Sequence, residues 1–155
     1  MILKLLLFYI LLYSSTCFSF DTIRDSINNS EAAIKAQRER IKIVSQNIAN
    51  EHSTSTEAGG DPYRRKIIYF KERYNPHTKS KMIQIIKYGT DKAAFKVIYD
   101  PTHPAANEQG LVKYPNVDKN LELRDAMEAE RSIEANISVV ETSKRIINNT
   151  LDLIR

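Results

Sequence analysis

Asp100 and His103 stand three residues apart with Thr102 between them, an acid, a base and a hydroxyl of the kinds from which a hydrolytic site is made. In such a site the imidazole takes a proton from the hydroxyl while the carboxylate fixes the ring's tautomer. No nucleophile elbow, phosphate-cradling glycine loop or zinc motif accompanies the pair, so no catalytic residue is assigned. His52, His77 and His103 share no ligand spacing, and Cys17 is the one cysteine of the chain. A thiolate metal site and an internal disulfide both need more than that. The chain is expected to hold no metal, to use no cofactor and not to be an enzyme.

The remaining composition is that of an ordinary globular chain. It has 155 residues, 42% hydrophobic and 27% charged, with a formal net charge of +4, which suits one domain. Lys35 to Lys42 is the one noticeably basic stretch. A nucleic-acid reader shows a denser basic face with base-reading side chains, so nucleic acid is not an expected partner. No motif for a small-molecule substrate is present. Residues 1–19 stand apart: Lys4 precedes the apolar run Leu5–Tyr13, and Ser14, Ser15 and Thr16 follow. That layout fits a secretory signal segment cleaved after Cys17 or Ser19, and equally an over-extended start. Either reading leaves 1–19 outside the fold.

Two end segments would position whatever the chain presents. From Phe20 onward Ile27, Ile34, Ile41 and Ile48 recur every seven residues, with Ile23 and Val44 three residues after two of those rungs and Ser30 and Gln37 at the equivalent places between. At 3.6 residues per turn this draws a narrow apolar seam that needs a partner helix. After Pro115 no proline or glycine interrupts the chain, and Asp118 is suited to cap a helix start, with Glu122 favourably placed in the first turn. There Leu123, Ile137 and Leu151 form one line, broken by Glu130 and Lys144; Ala126, Ile133, Val140, Ile147 and Ile154 form a second.

Between these segments, Lys66–Phe70, Lys81–Tyr88 and Ala94–Tyr99 have the composition of strands. Gly89-Thr90-Asp91 and Asn75-Pro76 mark turns, and Pro101 to Pro115 cannot be helical. The expected fold class is α+β. A helix over 20–50 and another over 118–155 pair as an antiparallel, coiled-coil-like hairpin, with a loop and small β-rich insert over 51–117.

Three stretches carry a resemblance. Ser45-Gln46-Asn47-Ile48-Ala49-Asn50 looks like the signature shared by flagellar rod, hook and hook-associated axial proteins. Gly59-Gly60-Asp61-Pro62-Tyr63-Arg64-Arg65-Lys66 is similar to a stretch of the C-type rod family, with Asp61 inserted before the proline. Tyr99-Asp100-Pro101-Thr102-His103-Pro104, with Gly110-Leu111-Val112 and Pro115-Asn116-Val117 after it, resembles a third segment of that family, Leu111 replacing its usual aromatic. The resemblance covers about residues 20–155 and leaves out the N-terminal run, whereas axial proteins leave the cell through the flagellum's own export apparatus.

The resemblance implies a structural subunit of the proximal rod of the bacterial flagellar basal body, crossing the periplasm. Such a subunit transmits torque, forms part of the wall of the export channel and is required for motility. Its implied partners are other rod subunits, the membrane-ring/rod junction protein and further copies of itself. Ser45 and Asn47 are expected to bond a neighbouring subunit, while Asn47 and Asn50 also suit a helix C-cap. Arg64 and Arg65 suit either interface ion pairs or a solvated loop edge, and His103 is expected to pack locally. Two other readings stay open: a secreted periplasmic helical adaptor or binding module, and another axial subunit such as the B-type rod protein.

Overall fold

The computed structural model describes residues 2–76 and 80–154, with side chains described over 22–76 and 80–153. The side chains of Phe20 and Ile154, at the ends of the two expected apolar lines, and the residue His77 lie outside that set.

Helix α1 runs Ile2–Ala49. No proline or glycine occurs before Gly59, so nothing breaks its hydrogen-bond ladder. It ends at Asn50, whose side-chain amide donates to the Gln46 carbonyl at 2.8 Å and whose Oδ1 accepts from the Ser53 hydroxyl at 3.1 Å. The same Gln46 carbonyl also accepts the Asn50 N–H at 3.2 Å, so backbone and side chain of Asn50 close the helix end together. Helix α2 runs Lys119–Ile154. Asp118 caps it, its carboxylate accepting the Asn120 N–H at 3.0 Å. At 1.5 Å per residue α2 is roughly 54 Å long. Among the described residues no helix is long and apolar enough to cross a membrane.

The insert contains two two-stranded antiparallel sheets. Strands β1 (Lys66–Asn75) and β2 (Ser80–Thr90) form a long hairpin, with a register shift between Tyr69 and Phe70. Strands β3 (Lys96–Tyr99) and β4 (Leu111–Tyr114) form a short pair. The first two strands are longer than their composition suggested. Strand β4 falls inside the segment expected only to be extended. Gly110 makes the turn into β4 with φ +73, and a side chain there would meet the Tyr99 ring at 2.9 Å; glycine alone fits.

The architecture is α+β: two terminal helices packed together, with the small β insert between them in sequence. The helices are antiparallel, since Asn47 meets Glu122, Arg40 pairs with Asp125, and Ser30 shares a polar cleft with Asn136. The hairpin lies along α1, reaching from Lys66 beside Gln46 to Ser80 beside Asn29.

The seam between the helices differs from the expected one. On α1 the buried residues are Ser30, Ala36, Ile43, Val44 and Asn47, while Ile27, Ile34, Ile41 and Ile48 are only half-buried. Two neighbours cover α1, the hairpin on one side and α2 on the other. The isoleucine line falls on the flank of that covered arc. On α2 the inward lines are Glu122, Ala129, Asn136, Ser143 and, beside them, Ala126, Ile133, Val140, Ile147. Ile137 and Leu151, read as seam residues, are 40% and 53% exposed. Alanine, serine and asparagine let the two backbones approach closely, and a bulky leucine or isoleucine in those lines would hold them apart.

Candidate functional site

The helix pair and the insert meet where α1 ends and α2 begins, and the contact is polar. Asn47, in the last turns of α1, is 1% exposed, and Glu122, in the first turn of α2, is 0% exposed. The Asn47 amide nitrogen donates to the Lys66 carbonyl at 2.9 Å and to Glu122 Oε2 at 3.0 Å. Its Oδ1 accepts from the Lys66 N–H at 2.8 Å and from the Tyr63 hydroxyl at 2.9 Å. Two donors and two acceptor positions are all an asparagine side chain has. None is left over for a neighbouring subunit, and capping falls to Asn50 alone. The expected intersubunit bond from Asn47 is therefore replaced by four bonds inside the chain.

Glu122 takes its second partner from the insert: Arg65 Nε donates to Oε1 at 2.5 Å. The same guanidinium lies 3.6 Å from Asp91 Oδ2. The Arg65 N–H donates to Asn116 Oδ1 at 2.9 Å, and the Asn116 amide points at the Asp91 and Ala93 carbonyls. Arg64 donates to the same two carbonyls at 3.1 Å, its guanidinium carbon 4.0 Å from the centre of the Phe95 ring. Neither arginine is a solvated loop edge; both face inward and clamp the segment that links β2 to β3. A carboxylate fully removed from water must be compensated by charge and hydrogen bonds, and Arg65 and Asn47 together do so. Burial, then the Glu122 charge, push the Tyr63 phenol above its ordinary pKa, which keeps it a donor to Asn47.

The rest of the insert anchors this junction. Pro62, Ala105, Gly110, Val112, Pro115 and Val117 are also buried, while Pro101 and Pro104 are exposed. His103 Nδ1 accepts from the Ala105 N–H at 3.0 Å, and its ring lies 6.1 Å from that of Tyr114. The Asp100 carboxylate accepts from the Thr102 hydroxyl and N–H at 2.7 and 3.1 Å, which holds its pKa below the usual carboxylate value. Acid, base and hydroxyl are thus engaged in turn geometry. Asp61 is likewise lowered, by Lys113 at 2.8 Å. Ser45 and Ala49 are exposed on the outer side of α1, away from the junction, and Ile48 is half-buried. Among the described residues no cluster of histidine, cysteine and acidic side chains is arranged to hold a metal ion.

The structure therefore joins Asn47, Tyr63, Arg65 and, through Arg65, Asn116, which come from three separate stretches of sequence, around an acid that none of those stretches contains. Glu122 was legible only as a favourable charge in the first turn of a helix. What identifies it is its place in a ladder of polar or small residues seven apart: Glu122, Ala129, Asn136, Ser143 and Thr150.

No family model matches the chain. Known proteins do. It is 38% identical over 124 residues to the flagellar basal-body rod protein FlgC of Agrobacterium fabrum, covering 80% of this chain and 89% of that protein. It is 34% identical over 143 residues to FlgC of Bacillus subtilis, covering 83% and 95% respectively. With FlgC of Borreliella burgdorferi it shares 35% identity over 147 residues, covering 84% and 96%.

Proposed function

The chain belongs to the FlgC family of flagellar basal-body rod proteins, and from that premise we propose that it is a structural subunit of the proximal rod. In this reading it transmits torque along the shaft, forms part of the wall of the axial export channel and is needed for motility. Its partners are other rod subunits, the membrane-ring/rod junction protein and further copies. The work is mechanical and no reaction is catalysed. The end helices over 20–50 and 118–155 make the tube as a coiled-coil-like pair, and the insert over 51–117 braces them.

The observation that carries the reading is that the three family-like stretches converge on the junction of Asn47 and Glu122. Torque on an axle acts as shear between the parts of each subunit. Apolar contacts tolerate sliding, because burial is non-directional. Hydrogen bonds weaken steeply once distance or angle changes, so a junction built from Asn47, Arg65, Asn116 and Glu122 resists changes of register. The outward lines on α2 are left for neighbours to cover.

Hook–basal bodies isolated from the organism that makes this chain provide the test. The chain is expected in the rod fraction, and deletion of its gene should abolish swimming until the intact gene is returned. Basal bodies with a complete rod that lacks this chain would overturn the assignment.

A further inference from the structure

Two exposed surfaces of the chain match in charge, composition and length, yet do not meet within one copy. The first is the outer face of the hairpin. Tyr69, Lys71 and Arg73 alternate along β1 and are exposed; Tyr69 stands opposite Lys87 on β2, and Arg73 opposite Met82. Residues at alternate positions share one face of a strand. The other face, with Phe70, Ile83 and Ile85, is half-buried. Lys71, Arg73 and Lys87 have no ion-pair partner among the described residues.

The second surface is a stripe on α2. Leu123, Met127, Glu130, Glu134, Ile137 and Glu141 follow one another at spacings of four, three, four, three and four, and all six are exposed. Such spacing keeps side chains on one line of a helix. Glu130, Glu134 and Glu141 have no ion-pair partner among the described residues. A ten-residue strand is about 33 Å long and the stripe about 27 Å. Among the described residues the hairpin packs on α1 rather than on α2, and the exposed stripe does not meet it.

We infer that the outer hairpin face of one copy docks on the Leu123–Glu141 stripe of a second copy. This deepens the rod assignment and rests on it. Lys71, Arg73 and Lys87 face Glu130, Glu134 and Glu141, while Tyr69 and Met82 lie against Met127 and Ile137. The two patches are different surfaces, so the contact is head-to-tail. Repeated, it generates a row of subunits that need not close on itself. Its charged part is solvent-accessible and weakens as salt screens it.

The full chain carries the test, by sedimentation at low salt and at about 0.5 M salt. Lys71→Glu with Arg73→Glu is one variant, and Glu130→Lys with Glu134→Lys the other. Each alone should associate roughly tenfold more weakly than the parent, with unchanged circular dichroism, and an equimolar mixture should recover the parent's association. In a Cys17→Ser background, chains with Arg73→Cys mixed with chains with Glu134→Cys should form a disulfide between copies. Parent-like association of both variants, failure of the mixture to recover, or a parent chain that stays monomeric at every salt would overturn the docking. Any of these with the chain still present in basal bodies leaves the rod assignment standing, whereas absence from basal bodies sinks that assignment whatever sedimentation shows.

Discussion

The Asn47 amide nitrogen stands 3.0 Å from the Glu122 carboxylate, although the two lie 75 positions apart in the chain and neither side chain is open to solvent. Around that pair the end of one helix, the start of the other and the first strand of the insert are held by bonds that each demand a particular geometry.

Asn47→Ala removes four hydrogen bonds at once and strands groups that have lost access to water. The expected loss is about 2–4 kcal/mol in urea unfolding. Asn47→Asp should cost at least as much at neutral pH, because it sets a second carboxylate against Glu122, and should recover partly as acid protonates the pair. A loss under about 1 kcal/mol for the alanine variant would contradict the bonding described.

Glu122→Ala leaves the Arg65 guanidinium without its main partner. Because the Arg65 side chain is 27% exposed, water takes over some of that role, and the cost should sit near the low end of the roughly 3–5 kcal/mol typical of broken buried pairs. Glu122→Gln keeps the bond to Asn47 and should cost less than the alanine change. If both cost the same, the charge is irrelevant to the junction.

The seam between the helices is tested by size. Ala129 is 0% exposed, so Ala129→Leu should destabilise by about 1–3 kcal/mol through overpacking. Ile137→Ala, on the outside, should change monomer stability by less than about 1 kcal/mol. Gln37 Oε1 is buried with no hydrogen-bond partner among the described residues, so Gln37→Leu should be neutral or stabilise by about 1 kcal/mol. Thermal unfolding of the three variants side by side reads all of these, and the reverse order for Ala129 and Ile137 would restore the seam read from apolar periodicity.

Tyr63 makes alkaline stability informative. Its phenol pKa is raised by burial and then by Glu122, so the fold favours the neutral form. That contribution is complete below the unfolded phenol's pKa and is lost as pH rises through the higher folded value. Unfolding midpoints should therefore fall on the alkaline side of the ordinary phenol range. Tyr63→Phe should cost about 1 kcal/mol at neutral pH and flatten that limb. An alkaline limb unchanged by the substitution would assign it to other groups.

The helices were legible because their signals are local: Asp118 caps α2, Asn50 closes α1, and no proline or glycine intervenes. The hairpin was legible in outline from its β-branched and aromatic residues. The interface was legible only in part. Periodicity of apolar residues singled out Ile34, Ile41 and Ile137, whereas the helices meet through Ser30, Ala36, Ala129 and Ser143, whose smallness rather than hydrophobicity sets the fit. Asn47 looked like a helix terminator because nothing within a few residues of it reveals partners 16, 19 and 75 positions away. Glu122 carried no more signal than any acid near a helix start.

The bonds that fasten α1 to the insert, the insert to α2 and α1 to α2 span 19, 57 and 75 positions respectively. Contacts between remote positions form only after a large loop has been closed, which slows folding. On the ribosome Asn47, Tyr63 and Arg65 all emerge well before Glu122, so the nascent chain has no way to fasten its two halves until synthesis is close to complete. Delayed self-locking of this kind leaves the polypeptide threadable for most of its production and commits it to a shape only at the end.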